Sequence, residues 1–257
     1  MRRRTDLRWH AVIGHEDRNR TVITVDHDDP HPLLGACRVN DFWAAFGVAE
    51  LAHIVALSLA VSLSATLVAA VVGLPSGAAL AICRFPGRRL VIVLANAFLG
   101  LPPVVVGLGL YLALSRSGPL GWLALLFTPG AMVLAQTLLA TPIIMALAHR
   151  AIEEPWAEYG GALRVDGAAR LRSIGMLLAI ARKPVTTAVL AGFGRTISEV
   201  GAVLIVGGNI AGYTRIMTTA IVLETSKGNL ELALGLGFVL IGISVAVSST
   251  AFLLGEK

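Results

Sequence analysis

Residues 192–212 read GFGRTISEVGAVLIVGGNIAG, an apolar, glycine-rich stretch in which an arginine and a glutamate stand four positions apart. A charged side chain at the centre of a membrane-spanning helix costs about 2.5 to 3.5 kcal/mol on insertion scales. Arg195 and Glu199 must therefore face protein, each other or a water-filled path, which makes them candidate functional residues inside a membrane. The rest of the chain agrees with a bilayer as solvent. Of its 257 residues 56% are hydrophobic and only 14% charged, too apolar and too charge-poor for an ordinary soluble domain. The net charge of +5 comes from basic residues dispersed between apolar runs. No aromatic-interleaved basic patch appears, so no nucleic-acid partner is expected and the charge reads as topology. Cys37 and Cys83 lie far apart and indicate neither a disulfide framework nor a metal site.

A hydrocarbon core of about 30 Å needs about 20 helical residues at about 1.5 Å each. Five segments meet that length: 54–83, 90–115, 119–148, 184–207 and 232–255. They predict an all-α fold, a polytopic helical membrane bundle with five transmembrane helices over residues 41–257. Residues 42–51 are expected to form an amphipathic helix at the interface, and Gly73, Pro75 and Gly77 to bend the first span. Orientation follows from Lys and Arg in the loops. Arg84, Arg88 and Arg89, then Arg150, Arg164, Arg170, Arg172, Arg182 and Lys183, place two loops and the carboxyl end in the cytoplasm, and five spans put the amino terminus outside. The polar leader 1–40 opposes this with Arg2, Arg3, Arg4 and Arg8 among others. It is expected to be disordered or to precede the native start. Its His27, Asp28, Asp29 and His31 read as solvated coil rather than a metal site, and Cys37 lacks the apolar stretch of a lipoprotein signal.

Residues 150–183 form a loop of mixed charge far longer than a tight connection needs. Residues 158–164 read as one short helix, Asp166-Gly167 as its stop and 168–182 as a second helix, so the loop projects as a knob. Small and apolar residues on it fit a groove on a soluble partner, and they fit equally a hairpin resting on lipid headgroups.

The loop is similar to the conserved cytoplasmic loop of ATP-binding cassette importer permeases, a Glu-Ala-Ala pattern followed three residues later by Gly, which docks on the ATPase. Aligned on Gly167, Ala162 takes the first Ala position and Leu163 the second. Gly161 stands where the Glu falls, while Glu158 lies one helical turn earlier and offers a carboxylate on the same face; Ile180 stands in place of the pattern's Pro. The stretches LGLPPVVVGLGLYLALSRSGPLGWLALLFTPGAMVLAQTLLATPI (99–143) and GFGRTISEVGAVLIVGGNIAGYTR (192–215) resemble the membrane subunit of tungstate importers, within the wider molybdate and tungstate permease group. The resemblance covers roughly residues 41–255. It implies the type I importer fold, a homodimer, two cytoplasmic ATPase subunits that hold ATP and magnesium, an extracytoplasmic tungstate-binding protein, and a bacterial or archaeal plasma membrane. It further implies an ATPase-docking loop of Glu158, Gly161, Ala162, Leu163, Asp166, Gly167 and Ala168. Molybdate or another oxyanion is the alternative cargo; a stand-alone secondary transporter or a membrane scaffold has less support.

An oxyanion crossing a low-dielectric layer needs donors that are shared transiently and withdrawn. Arg195 lies roughly 16 Å past Pro184 along a helix, near mid-membrane. It pairs with Glu199 one turn on, or it contacts the anion. Gly207, Gly208 and Asn209 are either an outer gate of exposed backbone N–H groups or close-packing residues. Pro102 and Pro103 make either a plain kink or a break that lines the pathway. The chain carries no GxxxxGK[ST] loop and no Ser, His and acid arrangement, so it is not expected to be an enzyme, nor to hold a metal or a cofactor itself.

Overall fold

The computed structural model describes residues 48–165 and 169–256, and every regular element among them is helical. After Glu50 no Asp, Glu, Lys or Arg interrupts the first apolar run, which forms α1 (Val48–Ile82), 35 residues that continue through Pro75. A turn at Gly87, in the left-handed region with φ 86°, leads into α2 (Arg88–Ala97). A 3-10 turn (Phe98–Gly100) and a bend of 104° separate it from α3 (Pro103–Leu114). The bend has a covalent cause. A residue before proline is steered out of the helical region, and here Leu101 (ψ 124°) and Pro102 (ψ 119°) are both extended because each precedes one. A second 3-10 turn (Gly121–Leu123) precedes α4 (Pro129–Val165). There follow α5 (Arg170–Ile180), an 86° bend, α6 (Arg182–Ile197), α7 (Gly201–Gly207), α8 (Met217–Ser226) and α9 (Leu230–Glu256).

Three helices are long and apolar enough to cross a membrane, Glu50–Ile82, Pro129–Val165 and Leu230–Leu253, or five spans if each bent pair counts as one. The centre of the bundle is α1 against α4, running in the same direction. Thr137 reaches the Ala65 carbonyl, Gly73 meets Thr141 and Ile144, and Gly77 meets Met145, Ala148 and His149. At Gly77 the approach leaves no room for a side chain: an added Cβ would lie 2.8 Å from the Ala148 Cβ and 2.9 Å from the His149 nitrogen. α6 runs back along α4, with Gly192 against Ile144 and Thr196 beside Gln136. The outer core joins Met132, Ala135 and Leu139 of α4 to Val61 of α1, Leu114 of α3 and Ala202, Val203 and Val206 of α7. Lipid tails are as apolar as these side chains, so association rests on close van der Waals packing, which small residues permit. α9 contributes Leu232 and Leu236 to a cluster with Ile54 and Met217, but only 17% of its most apolar window is buried and Phe238, Ile241 and Val245 face outward.

Four boundaries differ from those read in the sequence. The segment 90–115 is not a straight span but turns by 104° at its prolines. The 119–148 segment is helical only from Pro129, and the helix runs on to Val165, so residues 158–164 are its end rather than a separate helix. At about 1.5 Å per residue its 37 residues reach about 55 Å, beyond a core of about 30 Å. The 184–207 segment breaks at 198–200, between α6 and α7. Residues 48–51 of the expected interfacial helix belong to α1; the rest of it, the leader 1–40 and the loop residues Asp166, Gly167 and Ala168 lie outside the described residues.

Candidate functional site

The break at 198–200 carries Glu199, one helical turn after Arg195 in the last turn of α6. Arg195 closes α6 and Glu199 follows it, with Arg195 Nη2 3.2 Å from Glu199 Oε2; the Arg195 side chain is 30% exposed and that of Glu199 only 3%. Burial of a carboxylate is tolerated when it is paired and hydrogen-bonded. Glu199 meets both conditions, because its Oε1 also accepts the Ala202 N–H at 3.1 Å, satisfying one of the free donors in the first turn of α7. The glutamate thus neutralises the arginine with one oxygen and caps the next helix with the other.

Ser198 in the break itself and polar side chains from three other helices hold it. The Ser198 hydroxyl donates back to the Gly194 carbonyl at 2.7 Å, a bond that competes with helix continuation. Gln136 Nε2 donates to the Thr196 carbonyl at 3.0 Å, and the Thr218 hydroxyl to the Glu199 carbonyl at 3.0 Å. Thr66 Oγ1 lies 3.0 Å from Thr196 Oγ1 and donates to the Ser62 carbonyl at 2.7 Å. All of Ser62, Thr66, Gln136, Thr196 and Thr218 are buried. In a bilayer such groups have no water to fall back on, so the partners freed by the break are found within the protein. Gln136 Oε1 itself has no partner among the described residues.

The proline break and the charge break meet. An added Cβ on Gly201, at the start of α7, would lie 2.8 Å from Val104 Cγ2 in the first turn of α3, and one on Gly107 would lie 2.7 Å from the Ala202 Cα. Pro103 therefore opens α3 directly against the capped end of α7, while Pro102 is exposed. Gly207, Gly208 and Asn209 lie at the other end of α7. Gly207 is buried against Met132, and its carbonyl accepts the Thr214 hydroxyl at 2.6 Å. Gly208 adopts φ 71° as the helix ends and spends its N–H on the Leu204 carbonyl. Asn209 also has positive φ, and its Oδ1 is buried without a partner among the described residues. Of the loop residues, Glu158, Gly161 and Ala162 are exposed near the end of α4, whereas Leu163 is buried with Ile82, Ile152 and Leu177.

Sequence reasoning did not select Gln136, Thr196, Thr66, Ser62 and Thr218. A signal existed for one: Gln136 is the single amide in the apolar run 129–148. The hydroxyls carried none, since Ser and Thr in an apolar helix commonly satisfy their hydroxyls on their own helix's carbonyls.

The geometry defines a polytopic helical membrane protein with two interrupted spans meeting at an ion pair whose carboxylate is buried. No protein-family model matches the chain. A Haloferax volcanii protein named "Probable anion ABC transporter permease protein" is 41% identical over 204 residues, 77% of this chain and 88% of that one. The tungstate uptake system permease protein TupB of Peptoclostridium acidaminophilum is 39% identical over 204 residues, 79% and 90% of the two chains. The molybdenum transport system permease protein ModB of Escherichia coli is 30% identical over 213 residues, 79% and 90%. The chain belongs to the permease subunits of ATP-binding cassette transporters, in the group that holds the tungstate and molybdenum permeases.

Proposed function

We propose that this chain is the membrane-spanning permease of an importer that carries tungstate into the cytoplasm of a bacterium or archaeon, driven by a separate ATPase subunit. The observation that carries the cargo is the likeness to TupB permeases, 39% identical in P. acidaminophilum and 36% over 165 residues in Campylobacter jejuni. The molybdenum permease is more distant, at 30%, and molybdate is the second reading.

In this reading two copies of the chain form the pathway in a type I importer, an extracytoplasmic binding protein delivers the anion, and the ATPase docks on the end of α4 and the residues after it. ATP and magnesium belong to that partner. Loops with Arg84, Arg88, Arg89 and Arg150 to Lys183 face the cytoplasm, as does the carboxyl end. The break at 198–200 joins α6, which follows the docking loop, to α7, which leads toward the other face. Movement of the docking end is carried along α4 and α6 as a rigid-body shift and absorbed at the breaks. Arg195, neutralised by Glu199, shapes the local potential rather than holding the anion permanently, because a tight site would stall release.

The test is ATPase activity of the assembled complex in the presence of its binding protein with tungstate, molybdate or sulfate. Tungstate is expected to stimulate most. Stimulation by molybdate alone selects the second reading, and stimulation by none of the three sinks the oxyanion assignment.

A further inference from the structure

Three arginines surround one cavity at the end of the bundle where α1 stops and α5 starts. The cavity, of about 490 Å³, is lined by Arg84, Arg164 and Arg170 together with Cys83, Trp156 and Ser173 among others, and none of the lining residues among the described residues is acidic. The arginines come from three places: the turn after α1, the last turn of α4 and the first residue of α5. None of them forms an ion pair among the described residues. Arg164 lies over the Trp156 ring, its Cζ 5.0 Å from the centroid, a contact that fixes the guanidinium without neutralising it. The N-terminus of the eleven-residue α5 adds positive potential at the same place.

Like charges drawn together from separate elements repel one another, and the repulsion is relieved by a counter-anion. Planar guanidinium forks suit the oxygens of phosphate-like groups. We propose that this cavity binds a tetrahedral oxyanion of phosphate chemistry, supplied either by the headgroup of an anionic phospholipid or by a dissolved oxyanion. A bound anion ties together the ends of α1, α4 and α5, the last two of which flank residues 166–168, and so sets the stiffness of the docking region. Anion binding at the cavity stands whatever the transported substrate is, while its effect on the docking region rests on the ATPase partnership proposed above.

Cys83, partly exposed in the lining, provides the readout. The full chain carrying Cys37→Ser is placed in nanodiscs and the rate of maleimide reaction at Cys83 is measured. One arm uses neutral lipid with added tungstate or inorganic phosphate; the other uses phosphatidylglycerol without a free anion. Binding of a dissolved anion slows the reaction about tenfold when that anion stands near ten times its Kd, and protection by phosphatidylglycerol alone assigns the site to lipid. In either arm the protection is expected to vanish in Arg164→Gln/Arg170→Gln and to persist in Arg89→Gln, a basic residue at the same end that does not line the cavity. Absence of protection in both arms overturns the proposal, as does protection that survives the double variant. Protection seen only on adding the ATPase subunit also overturns it, in favour of an acidic side chain of that partner.

Discussion

At the scale of single residues, Glu199 is one carboxylate with two structural duties, and substitutions separate them. Glu199→Gln keeps an oxygen that can accept the Ala202 N–H but leaves Arg195 without its counter-charge. Breaking a fully buried ion pair costs about 3 to 5 kcal/mol. Here the Arg195 side chain is 30% exposed, so the expected loss is smaller, about 1 to 2 kcal/mol once screening is allowed for. The double variant Arg195→Gln/Glu199→Gln removes both charges and is expected to regain most of that stability while uptake stays low. Thermal unfolding of Glu199→Gln, Arg195→Gln and the double variant in detergent reads the coupling directly. If the double variant is no more stable than Glu199→Gln, the two residues are not a pair in the membrane. The i to i+4 spacing made this pairing legible in the sequence. The cap on α7 was not, because it exists only where the helix has already broken.

At the scale of elements, what could be read depended on whether the cause was local. Apolar runs located the long helices, and the Pro102-Pro103 dipeptide announced a break whose size, 104°, follows from two successive extended residues. The break at 198–200 has no proline. It depends on Gln136, distant in sequence, taking the Thr196 carbonyl, and on Thr218 taking that of Glu199, so single-sequence periodicity ran one helix straight through it. The proline break is testable by distance. Spin labels at Leu94→Cys and Leu108→Cys would lie about 21 Å apart along a straight helix of that length. A shorter distance is expected in the otherwise native chain, moving toward that value in Pro102→Ala/Pro103→Ala; an unchanged distance would place the cause of the bend in packing rather than in the prolines. The contact between α3 and α7 gives a second test. Gly107→Val pushes a side chain into the Ala202 backbone, at a cost of about 1 to 3 kcal/mol by overpacking. Gly109→Val, on the open face with nothing within 4 Å of an added Cβ, is expected to stay within about 0.5 kcal/mol. Equal thermal stabilities would argue that α3 does not rest on α7.

At the scale of the whole molecule, the long α4 is what connects the charge site to the end proposed to dock the ATPase. It carries Gln136, which holds the break, and Glu158, Gly161 and Ala162 near its far end, all on one continuous helix. A continuous helix of this length, with Pro142 and Pro155 inside it, transmits a push only if something grips its far end. Gly161 is the place to ask, because it is exposed, and an added Cβ there meets nothing within 4 Å. Gly161→Trp therefore costs the isolated chain little, and replacing a helical glycine even recovers part of the roughly 1 kcal/mol that glycine forfeits. If the proposed ATPase docks on this turn, an indole there stands in the contact and displaces it. The expected outcome is normal membrane insertion and an unshifted melting temperature for the purified permease, together with loss of the ATPase subunit on gentle solubilisation and loss of tungstate uptake. Leu163→Ala serves as the contrasting variant, since Leu163 is buried against Ile82, Ile152 and Leu177 and its truncation should lower stability by about 2 to 5 kcal/mol before any partner is involved. Should Gly161→Trp retain both the ATPase and full uptake, the partner grips the rod elsewhere, and the route from docking end to charge site would have to bypass this turn of α4.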